Sequence, residues 1–223
     1  RSGCEQTMVK GVLFDMDGLM FDTERLGQAG WQQAGKELGF PITEAFVSRI
    51  RGRNETDGKA VAAEIFGPSF DFPKARAIRF AYVDRVVRTE GMPLKPGLLR
   101  LLDTLKQRGI PTALATSTRR STAFDYLKIA GVEDFFSAAV CGDEVVHSKP
   151  EPEIFLKAAE KLGAEPSACI VLEDSPSGVE AGFRAGCMTV MVPDLTPPDD
   201  RLRTMYRACV KTLEEVIPFL DIW

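Results

Sequence analysis

Between Thr23 and about Gly91 this chain offers no strand, while on both sides of that interval short apolar runs alternate with helical patterns. No other feature limits the possible folds so strongly. The apolar runs are Val9–Phe14, Pro111–Thr116, Ala138–Cys141, Cys169–Glu173 and Met188–Val192, with a weaker one at Ala208–Val210. Between them lie amphipathic helices that stop at glycines. Gly97–Arg108 aligns Leu98, Leu101, Leu102 and Leu105 on one face before Gly109, and Glu153–Leu162 aligns Ile154, Phe155, Ala158, Ala159 and Leu162 before Gly163. Near-continuous apolar strands alternating with helices predict an α/β fold, a doubly wound, Rossmann-like parallel sheet covered on both faces. A strand-to-helix connection usually takes only a few residues, so the long interval reads as an inserted domain. Its own patterns are helical: Leu26/Gly30/Ala34/Leu38, Ala45–Ile50, Val61–Phe66 and a longer stretch through Ile78, Tyr82 and Val86. The expected division is a core of residues 8–22 and 92–223 and a small α-helical cap of residues 23–91.

At 223 residues there is ample chain for a core, and a formal net charge of -4 with scattered Lys and Arg excludes a broad nucleic-acid footprint. No apolar run is long enough for a membrane span, and five cysteines without CxxC spacing read as thiols. Four of them lie in or beside apolar stretches and are expected to be buried; the protein is expected to be cytoplasmic. A covered sheet with a capped edge needs no second copy, so a monomer is expected.

The segment "VLFDMDGLMFDTE", Val12–Glu24, crowds Asp15, Asp17, Asp22 and Glu24 behind the first strand. The second strand ends in Thr116-Ser117, Lys149 follows the third, and the fourth ends in Glu173-Asp174. A parallel sheet sets all these ends along one edge, so residues roughly 160 positions apart can converge there. Two unneutralised carboxylates at ~4 Å repel by ~4 kcal/mol at an effective dielectric near 20, so a cation is expected among them. Hard oxygen ligands with room for water and a phosphate oxygen suit Mg²⁺. Each remaining residue type has a place in phosphoryl transfer. Asp15 can attack phosphorus, Asp17 can protonate the leaving oxygen and deprotonate water, and Thr116 and Lys149 can hold the phosphoryl oxygens. Gly18 permits a sharp turn beside them. Ser117 reads either as a further phosphate contact or as a helix N-cap, and Arg119 and Arg120 either as exposed charge or as contacts to an anionic group. The lone histidine, His147, reads as a loop bystander, and Met16, Met20 and Phe21 as packing.

The ordered motifs "DMDG" (Asp15–Gly18), "ATS" (Ala115–Ser117), "SKPEP" (Ser148–Pro152) and "EDSPSGVEAG" (Glu173–Gly182) resemble those of the haloacid dehalogenase-like hydrolases. The inserted helices are similar to the branch with a small α-helical cap, which includes β-phosphoglucomutase and many small phosphatases. The resemblance implies Asp15 as nucleophile and Asp17 as general acid and base. It implies magnesium held by the Asp15 carboxylate, the Asp17 backbone carbonyl and Asp174, with Glu173 at or behind the ion. Thr116, Ser117 and Lys149 would face the transferring phosphate. The expected activity is Mg²⁺-dependent hydrolysis of a small phosphorylated metabolite such as a sugar phosphate, through an aspartyl phosphate. The alternative is a β-phosphoglucomutase-like phosphotransferase. Where that mutase carries a cap histidine this chain has Gly27, and near its phosphate-binding cap arginine stand Glu55 and Arg53. These departures favour hydrolysis. Dehalogenation needs neither Asp17 nor magnesium, and a response-regulator receiver is shorter and lacks a cap.

Overall fold

The computed structural model describes residues 8–51 and 55–222. It divides into two compact units, one built from Arg1–Phe21 with Leu94–Trp223, the other from Asp22–Pro93.

The first unit is a parallel sheet of β1 (Gly11–Phe14), β2 (Thr112–Ala115), β3 (Ala138–Val140), β4 (Cys169–Glu173), β5 (Met188–Met191) and β6 (Ala208–Cys209), in the order β3-β2-β1-β4-β5-β6. The chain therefore steps outward from β1 on one side, then returns and steps outward on the other. The reversal falls between β1 and β4, where open α/β sheets form their binding crevice. Register fixes what stands there. Phe14 lies beside Leu172 on β4 and beside Leu114 on β2. Asp15 continues the ladder, its N–H donating to the Leu172 carbonyl at 3.1 Å, and so reaches the level of Glu173.

Alternate strand residues supply one face of the core. Leu13, Ala113, Ala115, Val140 and Val171 pack with Ile154, Phe155, Ala158 and Ala159 of α7 (Glu153–Leu162). α5 (Leu98–Gln107) buries all four leucines of its predicted stripe, each contributing roughly 1.5–3 kcal/mol of transfer free energy. α8 (Pro176–Arg184) approaches the sheet closely through Gly182, where a Cβ would lie 2.6 Å from Thr189 Oγ1. α6 (Arg120–Ala130) completes the helices of this unit, and the C-terminal stretch Leu213–Asp221 is 3-10 rather than α.

Pro218 lies inside that stretch and removes one backbone donor from it. Three cysteines, Cys141, Cys169 and Cys187, are buried; Cys209 is exposed because β6 is a two-residue edge strand. The expectation of four buried thiols is corrected at that position, and Cys4 lies outside the described residues. Among the described residues no helix is long and apolar enough to cross a membrane.

The second unit holds α1 (Thr23–Leu38), α2 (Glu44–Ile50), α3 (Glu55–Phe66) and α4 (Phe72–Glu90). Thr43 and Asp71 cap α2 and α4 by accepting from Phe46 N–H and Lys74 N–H. Aromatic rings fill its centre: Trp31 stacks on Phe72 at 5.7 Å between centroids, and Phe66 on Phe70 at 4.8 Å. α1 meets α4 through glycines. A Cβ on Gly30 would come within 2.8 Å of the Arg79 carbonyl oxygen, and one on Gly27 within 2.3 Å of the Arg79 guanidinium.

Candidate active site

Strand β1 ends in a compact turn. The Met16 carbonyl accepts from both Met20 N–H and Phe21 N–H, and Gly18 N–H donates to the Phe21 carbonyl. Gly18 sits at φ 82°, a conformation that favours glycine. Met16, Met20 and Phe21 are fully buried and anchor the turn, as their apolar character suggested. Asp15 is consequently held at the strand end and buried.

Lys149 gathers the site. Its Nζ donates to Asp15 Oδ1 at 2.9 Å, to Glu173 Oε1 at 2.6 Å and to the Ala115 carbonyl at 3.1 Å, and thereby joins the ends of β1, β2 and β4. Its side chain is 7% exposed and its ammonium lies 5.1 Å from the centre of the Phe155 ring. Burial alone would favour the neutral amine. The charges of Asp15 and Glu173 outweigh it and raise the Lys149 pKa above its ordinary value.

Glu173 is completely buried. Besides the Lys149 contact at Oε1, its Oε2 accepts from Asp174 N–H, Ser175 N–H and Ser175 Oγ at 3.2–3.4 Å. Gly178 makes room for it: a Cβ there would stand 1.9 Å from Glu173 Cδ. Burial, and next the charge of Asp15, push the Glu173 carboxyl upward against the pull of Lys149. Both of its oxygens are thus engaged by protein donors, which suits it to orienting Lys149. Asp174 differs, because its buried Oδ1 receives no hydrogen bond. Asp15, Glu173 and Asp174 each present a carboxylate oxygen within 4.8 Å of the others. Three carboxylates facing one ammonium leave an excess of negative charge, and this donor set fits a hard divalent cation.

The remaining expected residues fall into two groups. Thr116 is buried at the end of β2 and its Oγ1 accepts from Thr118 N–H at 3.1 Å, which leaves its own hydroxyl proton available. Asp17 lies outside the three-carboxylate cluster, its Oδ2 accepting from Thr118 Oγ1 at 2.8 Å. Ser117, by contrast, is exposed. It is not the N-cap of α6, a position held by Arg119; the first helical N–H, that of Arg120, donates to Asp143 Oδ1 instead. Arg120 is occupied elsewhere, paired with Glu144 and stacked on Phe124, and Arg119 is exposed. His147 is exposed and contributes its backbone N–H to Glu153. Thr118 was not singled out from the sequence, although a second threonine two residues after Thr116 is a usable signal, since such spacing lets a hydroxyl accept from a backbone N–H.

These strand ends match a known pattern. The sequence model of the "haloacid dehalogenase-like hydrolase" family matches residues 9–186. The chain belongs to the haloacid dehalogenase-like hydrolases. It is 36% identical over 181 residues to a "Phosphorylated carbohydrates phosphatase" of Thermotoga maritima, covering 80% of this chain and 82% of that protein. It is 33% identical over 186 residues to "Hexitol phosphatase A" of Escherichia coli, covering 82% of each. A crystal structure of β-phosphoglucomutase from Clostridium difficile superposes with a TM-score of 0.78 at 23% identity, over 96% of this chain and 97% of that one. At that identity the likeness concerns architecture. As a member of this family the chain is an enzyme whose named relatives include phosphatases. In the helical unit, Gly27 offers no side chain, its space being taken by Arg79, and Glu55 is paired with Arg76 at 2.6 Å. Arg53 lies outside the described residues.

Proposed function

We propose that this hydrolase removes the phosphoryl group from a small phosphorylated metabolite, such as a sugar phosphate, through a phosphorylated Asp15. The observation that carries the reading is the buried Lys149 ammonium bridging Asp15 and Glu173 beside Asp174. Asp15 attacks phosphorus through a carboxylate oxygen; the O–P bond forms as the bond to the leaving oxygen breaks, and Asp17 gives that oxygen its proton. Asp17 then takes a proton from water, whose oxygen attacks phosphorus and releases Asp15 and inorganic phosphate. Thr116 and Lys149 hold the phosphoryl oxygens while charge is redistributed, in a site where few solvent dipoles compete; Ser117, given its exposure, has the weaker claim to such a contact. Mg²⁺ would be held by Asp15, the Asp17 carbonyl and Asp174, with Glu173 behind them, and would supply charge neutralisation for substrate and transition state.

The named activities of the two relatives support a phosphorylated carbohydrate or polyol as substrate. Gly27 and the paired Glu55 support hydrolysis over mutase chemistry, which must retain a second phosphate and exclude water. The test is phosphate release from p-nitrophenyl phosphate and a panel of sugar and polyol phosphates. Release should require Mg²⁺ and fall by about 10³-fold or more in Asp15→Asn. Undiminished turnover in that variant, or net conversion of β-glucose 1-phosphate to glucose 6-phosphate without phosphate release, overturns the reading.

A further inference from the structure

We infer that Thr118 is a positioning residue for proton transfer: its hydroxyl fixes one oxygen of Asp17 so that the other serves the leaving group. The inference rests on the proposed role of Asp17 and extends it to a residue outside the four motifs. Three contacts hold Thr118 in place. Its N–H donates to Thr116 Oγ1 at 3.1 Å, its carbonyl accepts from Gly142 N–H at 2.9 Å, and its hydroxyl donates to Asp17 Oδ2 at 2.8 Å.

The loop itself has little freedom to shift. Gly142 approaches so closely that a Cβ there would lie 2.0 Å from the Ser117 carbonyl oxygen. Thr116 is buried at the end of β2, so the loop is also fixed from below. The hydroxyl of Thr118 therefore reaches Asp17 from a backbone fixed on two sides. A hydroxyl carried on a mobile backbone would follow the carboxylate as it turned about its terminal torsion, which is broad in Asp, whereas this one restrains it.

The arrangement has a chemical consequence. A hydroxyl that donates to Oδ2 leaves Oδ1 as the oxygen better able to carry and release the proton. The same short loop also ties Thr116, the proposed phosphate contact, to the acid. Thr118 holds that loop through its backbone N–H and carbonyl, so removing its hydroxyl alone leaves the phosphate contact in place and disturbs only proton delivery. Proton transfer responds to such a change because donor and acceptor must meet within hydrogen-bond reach and in the right orientation.

The test compares kcat/KM, which reports transfer to Asp15, across aryl phosphates from p-nitrophenyl to phenyl to p-methoxyphenyl phosphate. Leaving groups of low pKa depart without a proton; the others need one. Thr118→Val should lose about tenfold on the phenyl and p-methoxyphenyl esters but less than about twofold on p-nitrophenyl phosphate. Thr118→Ser should restore the wild-type slope. Thr118→Ala, which cannot be overpacked, should repeat the Val result. A uniform loss across the series in Thr118→Val and Thr118→Ala, or no rescue by serine, would overturn the inference. Asp17→Asn is the control. If its loss is also independent of the leaving group, the role of Asp17 has failed; if its loss is graded while that of Thr118→Val is not, only the role of Thr118 has failed.

Discussion

The two units bury different kinds of residue. The helical unit buries Trp31, Phe46, Phe70, Phe72, Val47 and Ile50, and its ion pairs Arg49–Glu64, Arg76–Glu55 and Arg88–Asp84 lie at the surface. The sheet unit buries Asp15, Glu173 and Asp174 together with Lys149. Exposed pairs cost little and contribute little. A buried charge cluster costs several kcal/mol of desolvation and stabilises poorly even when paired. A cluster placed at such cost, at the strand reversal between β1 and β4, is where the proposed chemistry would take place; the helical unit's centre is accounted for by packing alone.

The contrast can be broken first at Lys149. Lys149→Met leaves Asp15 and Glu173 buried without their ammonium, and should cost about 3–5 kcal/mol of stability along with turnover. Adding Glu173→Gln should return most of the stability and none of the turnover, as read by urea unfolding and phosphate release. If the double variant stays as unstable as the single one, charge burial is not the source of the loss. In the helical unit, Trp31→Ala should cost a comparable 3–5 kcal/mol through a cavity against Phe46 and Phe72. Its loss should respond to filling the cavity and not to charge, so Trp31→Phe should recover most of it.

Gly178→Ala sharpens the comparison at intermediate scale. The added methyl meets the Glu173 carboxylate head-on, and a loss of about 1–3 kcal/mol by urea unfolding is expected, with more Mg²⁺ needed for half-maximal turnover. The smallest effect belongs to Glu153, held down to about 2 chiefly by Lys157 and by the N–H groups of Val146 and His147. Its folded pKa is depressed, so its contribution is present above about 4.5, its unfolded value. That contribution disappears as pH falls toward about 2. Unfolding midpoints of wild type and Glu153→Gln should differ slightly at pH 6 and converge in acid.

Much of this was readable in advance for physical reasons. Strands buried on both faces are apolar along most of their length, so β1 through β5 stood out, and polar residues at their ends had to lie on one edge. Leu98, Leu101, Leu102 and Leu105 disclosed α5 because a buried stripe repeats with the helical period. What escaped was anything that depends on a folded loop. Thr118 meets Asp17 only because β2 and β1 are neighbours, and Asp143 caps α6 from a 3-10 turn 23 residues downstream. The engagement of both Glu173 oxygens likewise depends on the turn into α8, so sequence alone left its role divided between ligand and support.

Rapid acid quench during turnover of p-nitrophenyl phosphate, followed by peptide mass spectrometry, tests the central claim most directly. The phosphoryl group should be found on the peptide carrying Asp15, and should be absent from it in Asp15→Asn. A phosphoryl group on another residue, or release of phosphate with Asp15 never modified, would contradict the account.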